Sequence, residues 1–542
     1  MFKNLILICI VANTHTFAAT YYVSKNGNDT NPGTFSQPWL TLQKATNTLT
    51  AGDSVFIRQG IYNERLVPLN SGNVTNYITY MAFPGEDVVL EGINITLPDE
   101  LAGMIDIRGK GFINVMGFKI QNAKPYDNNA GIFIDSCQFI FLFNNHTYNT
   151  VSSGIGIWNS KNIIVENNEV ELANNDGEQE NISIVNTDSF IISYNRVHNG
   201  GPGTNGGEGI DAKWGSSNGK IFGNEVYEQP DDLGIYLDAW NRRTFNIEIY
   251  NNIVHDCTEG IDIASEAGGL LENISIYNNI IYNNTYNGIT VGNWGDVGVT
   301  QRPINNVSIM NNTIYNNGTT GNWGGAILVE NPDAKNILIR NNLCSQNFSY
   351  QIAISDTVPL ISVLTDHNLI DGFRNDAGEI YGADSVVGDP QFVNVSAYDF
   401  HLKSSSPAVD NGDGANAPVF DFANLARPIG NGYDIGAYEY ALTFINHLHI
   451  NPANVFIYPN PFSQNLTLQI THIRKGEKNY HFKLFNMLGA EVFNQELTAD
   501  NEAIKLNLPS GIYFYIINGF EDSTLAKDGN IGLVGNGKLI VK

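Results

Sequence analysis

The sequence predicts an all-β protein, a parallel β-helix solenoid followed by a small C-terminal β-sandwich, and three observations carry that prediction. The first is a set of Gly-Ile segments between Glu208 and Trp294: EGIDAKW (208–214), LGIYLDAW (233–240), EGIDIASEAGG (259–269) and NGITVGNW (287–294). Each alternates after its Gly-Ile pair as a short β-strand does. The second is an apolar run closed by Asn after each strand, at Asn145, Asn168, Asn195, Asn224, Asn252, Asn279, Asn312, Asn342 and Asn368, spaced by 23, 27, 29, 28, 27, 33, 30 and 26 residues. A repeat of this length with two or three strands per unit and Asn at a fixed corner describes stacked coils. No coil can bury its inward Ile, Val and Leu alone, so neighbours stack about 4.8 Å apart. Asn at the bend tolerates left-handed backbone and can pair its amide with the next coil as a ladder. The third is length: 542 residues exceed one ordinary core, whereas a solenoid grows by adding coils.

In chain order, residues 1–18 read as a secretory signal, with Lys3, an apolar run from Leu5 to Ala12, and Thr16-Phe17-Ala18 as a small-residue cleavage site. No later stretch is apolar enough to span a bilayer. Removal of the signal takes Cys9 with it and leaves Cys137, Cys257 and Cys344, one per distant coil, which reads as buried filler and not as a disulfide framework.

Residues 19–440 form the solenoid region. Its start, YYVSKNGNDTNPGT…PWLTLQKA…GDSVFIRQGIY, holds two strands and a short helix whose Leu42, Ala45 and Leu49 share one face, as a cap over an open coil requires. This pattern resembles the entry cap of secreted right-handed parallel β-helix proteins of the pectate-lyase-like superfamily, many of them polysaccharide-active. Coils follow to about Phe373, with insertions at 199–207, 293–303 and 318–325 beside the strand face, where loops commonly wall a groove. GDPQFVN…FDFANLARPIGNGYDIGAYEY (388–440) resembles the exit segment of the same class, and Asp389, Asp410 and Asp434 read there as turn residues.

A linker (441–453) leads to a last domain (454–542), marked by IYPNPFSQNLTLQI, LFNMLGAEV, LPSGIYFYII and GKLIVK. Alternating apolar residues and Gly or Pro turns give a seven-stranded or similar sandwich. These landmarks in this order resemble the C-terminal sorting domain of the type IX secretion system of Bacteroidetes. The resemblance implies export across the outer membrane, a secreted or cell-surface location, and the type IX machinery as a partner.

Stacking the Gly-Ile segments puts Asp211, Tyr236, Asp262 and Thr290 in one outward column and Lys213, Asp238, Ala264 and Gly292 in another. Trp240, Arg242, Glu266, Asn293 and Trp294 lie just beyond, and Glu208 and Glu259 at the edge. Such a ridged, open-ended face suits a polymer, with Tyr236, Trp240 and Trp294 stacking on sugar rings. Asp211, Asp238 and Asp262 are the candidate catalytic acids. Strand rise and coil spacing put Asp211 and Asp238, or Asp238 and Asp262, roughly 8 Å apart, within the span of an inverting glycosidase. One of Asp211 and Asp238 would be the general acid and the other, or Asp262, would hold the water. Lys213, beside Asp238, would keep its neighbour an ionised base, which favours Asp262 or Glu266 as the acid. The substrate-binding set is Glu208, Lys213, Tyr236, Trp240, Arg242, Glu266, Asn293 and Trp294.

The expectation is therefore an extracellular, endo-acting glycoside hydrolase, acting as a monomer on an anionic glycan such as a sulfated fucan, because Lys213, Arg242, Arg243 and Arg302 would line the groove. One alternative is a polysaccharide lyase with Lys213 as base and Arg242 as stabiliser on a uronate polymer. Another is a non-catalytic glycan-binding solenoid. Asn186-Thr187-Asp188 and Asp231-Asp232 resemble two motifs of polygalacturonase-type hydrolases, whose His-containing and Arg-Ile-Lys motifs are absent. His198 and His255 occupy matching turns and read as structural. No cofactor is called for, a calcium ion being left open, and a formal charge of −26 disfavours nucleic acid as a partner.

Overall fold

In the computed structural model the described residues are 18–201, 206–318, 323–441 and, beyond these, the strands and short connections between 454 and 541. The expected signal peptide (1–18) lies outside them, apart from Ala18, as does the expected linker (441–453), apart from Ala441. Two compact units divide at residue 442.

The first unit is a β-helix with three strand faces. Thirteen parallel strands, from Thr20–Val23 to Val363–Asp366, form one face. The second is built from short strands that follow the corner Asn, such as Glu169–Glu171, and the third holds the Gly-Ile strands, such as Ile210–Lys213. In two coils Glu225–Asp238 and Ile253–Ala264 run straight through the corner between the second and third faces, with a register shift between Gln229 and Leu233. Inward columns such as Ile184, Ala212, Leu237, Ile263, Val291 and Val329 are fully buried in one continuous core. Burying each large aliphatic side chain contributes roughly 1.5–3 kcal/mol.

The Asn corner is a buried ladder. The amide of Asn252 donates to Asn279 Oδ1 at 3.0 Å and to the Ile221 carbonyl at 3.0 Å, while Asn252 Oδ1 accepts from both the backbone N–H and the side chain of Asn224. The same bonding recurs from Asn145 to Asn368. The expected left-handed residue is displaced by one, however: Asn144, Asn167, Asn251, Asn278, Asn311 and Asn341 take φ between 52° and 57°, and the next Asn carries the ladder. Bend and ladder are thus separate tasks on adjacent residues. Asn252→Ala should orphan the buried Asn224 N–H and neighbouring groups, at about 1–3 kcal/mol each. A lowered denaturation midpoint in guanidinium would show it.

A second register is aromatic. His198, Tyr227, His255, Tyr282 and Tyr398 stack at centroid spacings of 4.9, 5.1, 4.7 and 4.4 Å, so both histidines are structural, as their matching positions imply. The helix Leu42–Thr48 caps the entry with Leu42 and Ala45 buried, and its Thr41 side chain accepts from Lys44 N–H. Cys137, Cys257 and Cys344 are free and buried. The exit segment folds back along the coils: Asn278, Asn311 and Asn341 donate to the carbonyls of Phe420, Asp434 and Asp413. Asp389, Asp410 and Asp434 accept backbone N–H groups there, the turn role expected of them.

In the second unit, seven described strands form antiparallel sheets of three and four. Leu466, Leu468 and Ile504 of one sheet and Phe482, Leu484 and Ile517 of the other share one core.

Candidate active site on the third face

Parallel pairing of Ile210–Lys213, Glu225–Asp238, Ile253–Ala264 and Ile289–Val291 builds the two predicted columns. Asp211 pairs with Tyr236, Tyr236 with Asp262 and Asp262 with Thr290, while Lys213 pairs with Asp238 and Asp238 with Ala264. Asp238 is therefore one coil and two residues from both Asp211 and Asp262, about 8 Å from each along the backbone.

These outward side chains are not a solvated face. Asp211, Asp238 and Asp262 are only 1%, 1% and 0% exposed. Acidic residues at the strand entries and aromatic residues past the strand ends lie around them and divide the face into three recesses.

In the first, Lys213 Nζ pairs closely with Glu180 and lies 3.6 Å from Asp211 Oδ2, and Glu180 accepts from Ser183 Oγ at 2.6 Å. Burial pulls the Lys213 ammonium down, but the Glu180, Asp211 and Glu208 carboxylates outweigh it and the net shift is upward. Burial, then Glu180 and Asp232, push Glu208 up to about 8. Burial and Asp231 push Asp232 up to about 7, and burial raises Asp211 well above its usual range. These carboxylates favour the charged form of Lys213, the opposite of what a proton-abstracting base needs.

In the second recess Asp238 Oδ1 accepts the N–H groups of Trp240 (2.6 Å) and Glu266 (3.3 Å), whereas its Oδ2 is buried without a partner. Burial, then the Glu266 carboxylate, push Asp238 up to about 7, and Lys213 is the weakest of the groups that act on it. This corrects the expectation of an Asp238 held ionised by Lys213. Tyr236 donates to Glu266 and accepts from Trp294 Nε1 at 3.2 Å. Burial and the carboxylates of Asp238 and Glu266 keep the Tyr236 hydroxyl protonated. The Trp294 ring lies over Gly292, where a Cβ would meet it at 2.5 Å, so glycine is required at that point of the column.

In the third recess Glu259 Oε2 accepts from Thr290 Oγ1 (2.7 Å) and Asn287 Nδ2 (3.2 Å) beside Asp262. Burial raises both carboxyls, Asp262 the more, because Glu259 adds to it.

The expected basic lining does not form. Arg242 stacks 4.1 Å over the Trp214 ring, Arg243 pairs with Glu272 at 2.6 Å, and Arg302 binds the carbonyls of Val299 and Asp296 in its own loop. Trp240 is exposed at its strand end, and Asn293 is exposed with its N–H on Glu330. Asp188 bonds Ser217 and Asn218 away from these columns, in a corner role. Sequence reasoning passed over Trp214, Ser183 and Glu330 and undervalued Glu180. The entry position of Glu180, two residues before its strand, was the available signal. Among the described residues, the sets with three metal-ligand atoms mutually in reach are His146, Glu169 and Glu171, and Asp366, His367 and Asp413, all outside this face.

A family model described as the Pel9A-like right-handed β-helix region matches residues 21–342, and one described as a secretion system C-terminal sorting domain matches residues 456–527. Uncharacterized protein YwoF of Bacillus subtilis is 29% identical over 449 residues, covering 71% of this chain and 91% of that protein. Pectate lyase PEL9 of Emericella nidulans is 29% identical over 101 residues, 18% of this chain and 25% of its own. Among solved structures, the complex of XylC with xylose aligns over 78% of this chain and 98% of its own, at 13% identity and a TM-score of 0.50, a likeness of fold.

Proposed function

The chain belongs to the Pel9A-like right-handed β-helix family and carries a type IX sorting domain, and from that premise we propose an extracellular glycoside hydrolase whose proton donor is Asp238. One observation carries this reading: Asp238 has one oxygen fixed by two backbone N–H groups and the other buried, unpartnered and protonated near neutral pH. A general acid needs such a group, with a pKa near the working pH and its proton unengaged. Oδ2 would give that proton to the leaving glycosidic oxygen. Glu266, held by the Tyr236 hydroxyl, is the carboxylate that activates water or attacks the anomeric carbon. Asp211 and Asp262, about 8 Å to either side and kept neutral, would hydrogen-bond sugar hydroxyls. With the arginines engaged elsewhere and Lys213 neutralised by Glu180, the recesses are acidic, so a neutral glycan fits better than the sulfated polymer expected from the sequence.

The curated relative named a pectate lyase favours a second reading, elimination on a uronate polymer. Lys213, kept protonated, would not be the base.

A screen of neutral, uronate and sulfated polysaccharides separates the readings. Reducing ends appearing without ultraviolet absorbance support hydrolysis, and absorbance rising in parallel would replace it with elimination. In the hydrolase, kcat/KM should fall above about pH 7 as Asp238 loses its proton. Glu266→Gln, by removing a neighbouring negative charge, should move that limb to lower pH in whatever activity survives.

A further inference from the structure

The carboxyl column changes character beyond Thr290. The next outward residues, Leu328 and Ala353, are buried and form with Tyr350 an apolar cluster separate from the main core. Tyr350 lies on Gly325, where a Cβ would meet its ring at 2.3 Å. The Trp323 ring stands 5.1 Å from Tyr350 at 55° and is 53% exposed, its indole N–H bonded to Asp376 Oδ2 at 3.1 Å. Tyr286 and Phe348 are also exposed, and a Cβ on Gly324 would meet the Tyr286 backbone, on Gly318 the Phe348 Cβ. A monomeric surface has little reason to fix an exposed indole by a ring contact and a hydrogen bond unless something stacks on it.

The rings connect to the acids. The Tyr350 hydroxyl donates to Asn287 Oδ1, which also accepts the Gly325 N–H, and Asn287 Nδ2 donates to Glu259 beside Asp262. Trp323 precedes its strand three coils from Asp238, roughly 14 Å along the axis, and it lies at the entry edge of the face with Glu259 and Asn287, whereas Asp238 lies at the exit edge, so an oligosaccharide of several rings would cross the face obliquely to reach both.

We infer that Trp323, held by the Tyr350 ring and the Asp376 carboxylate, is a stacking platform for a distal sugar ring of the polysaccharide lying in the groove. The chain would run obliquely from the Asp238 recess across Thr290 to the C-terminal coils. The platform rests on the glycan-groove reading but not on whether the bond is broken by hydrolysis or elimination. Stacking uses the apolar face of a pyranose, so it supplies length dependence with little regard to substituent charge.

The test titrates the full secreted chain with soluble xylan, mixed-linkage glucan and polygalacturonate by calorimetry, comparing Trp323→Ala with Tyr194→Ala. Tyr194 is an exposed ring on the first face and controls for loss of any surface aromatic. The expected result is an affinity about tenfold weaker in Trp323→Ala alone, for the polymer that the parent chain binds. Equal affinity of both variants, or no binding of any polymer by the parent chain, would overturn the platform. Catalysis is read separately: weakened binding without turnover in the parent chain keeps the platform and sinks the hydrolase, and turnover with unchanged Trp323→Ala binding does the reverse.

Discussion

Asp238→Asn should lower kcat by about 10²–10⁴-fold with KM nearly unchanged, the range that general acid catalysis contributes. Asn keeps the shape of Asp and can present Oδ1 to the Trp240 and Glu266 N–H groups, so the recess should stay assembled while the proton at Oδ2 is lost. Reducing-end release at several substrate concentrations separates the two parameters. An equal loss from Asp211→Asn, with Asp238→Asn active, would move the donor to Asp211 and end the assignment made here. A leaving group that is itself acidic needs less protonation, so an aryl glycoside of the same sugar should lose less rate in Asp238→Asn than the polymer does.

The second large effect is on stability. Lys213→Met should destabilise the β-helix unit by about 3–5 kcal/mol near neutral pH, the cost of leaving buried partners of a broken ion pair without their counter-charge. Glu180 is 3% exposed, and Asp211 and Glu208 adjoin the same ammonium. Asp211 and Glu208 already have folded-state pKa values above their unfolded ones, Glu208 at about 8. A raised carboxyl binds more protons folded than unfolded, so acid favours the folded form between the two values. The Lys213→Met deficit should therefore be smallest at about pH 5 and grow as pH rises through about pH 8, where Glu208 gives up its proton. Denaturant midpoints at both values check the sign; a deficit constant with pH would mean that Lys213 acts only through packing.

Much of this molecule is legible in its sequence because solenoid order is local. A period of 23–33 residues, an Asn at one corner and a Gly-Ile start place the four third-face strands between Glu208 and Trp294 beside one another, so the columns through Asp211 and Asp238 could be written without coordinates. Which side chains lie over those columns is another matter. Glu180 reaching Lys213 and Trp294 folding over Gly292 depend on how loops of unequal length close, and no periodicity encodes that. The charge of the face was misread for the same reason, since Arg242 can serve a groove or an indole ring and its number in the chain is the same in both cases. The pKa ordering was also out of reach, because burial under those loops, and not the Lys213 beside it in the register, dominates Asp238.

The fold-back of the exit segment bears on how the solenoid comes apart. A stack held only by nearest neighbours frays from its last coil inward, one rung at a time. Here Asn278, Asn311 and Asn341, on three successive coils, each bond the returning strap, and the buried Arg427 donates to Asn278 as well as to Glu439. Peeling the final coil, that of Asn368, therefore exposes a strap that grips the three coils before it. The C-terminal coils should open as one cooperative unit, so that the aromatic end of the groove keeps its shape until the whole end of the solenoid gives way.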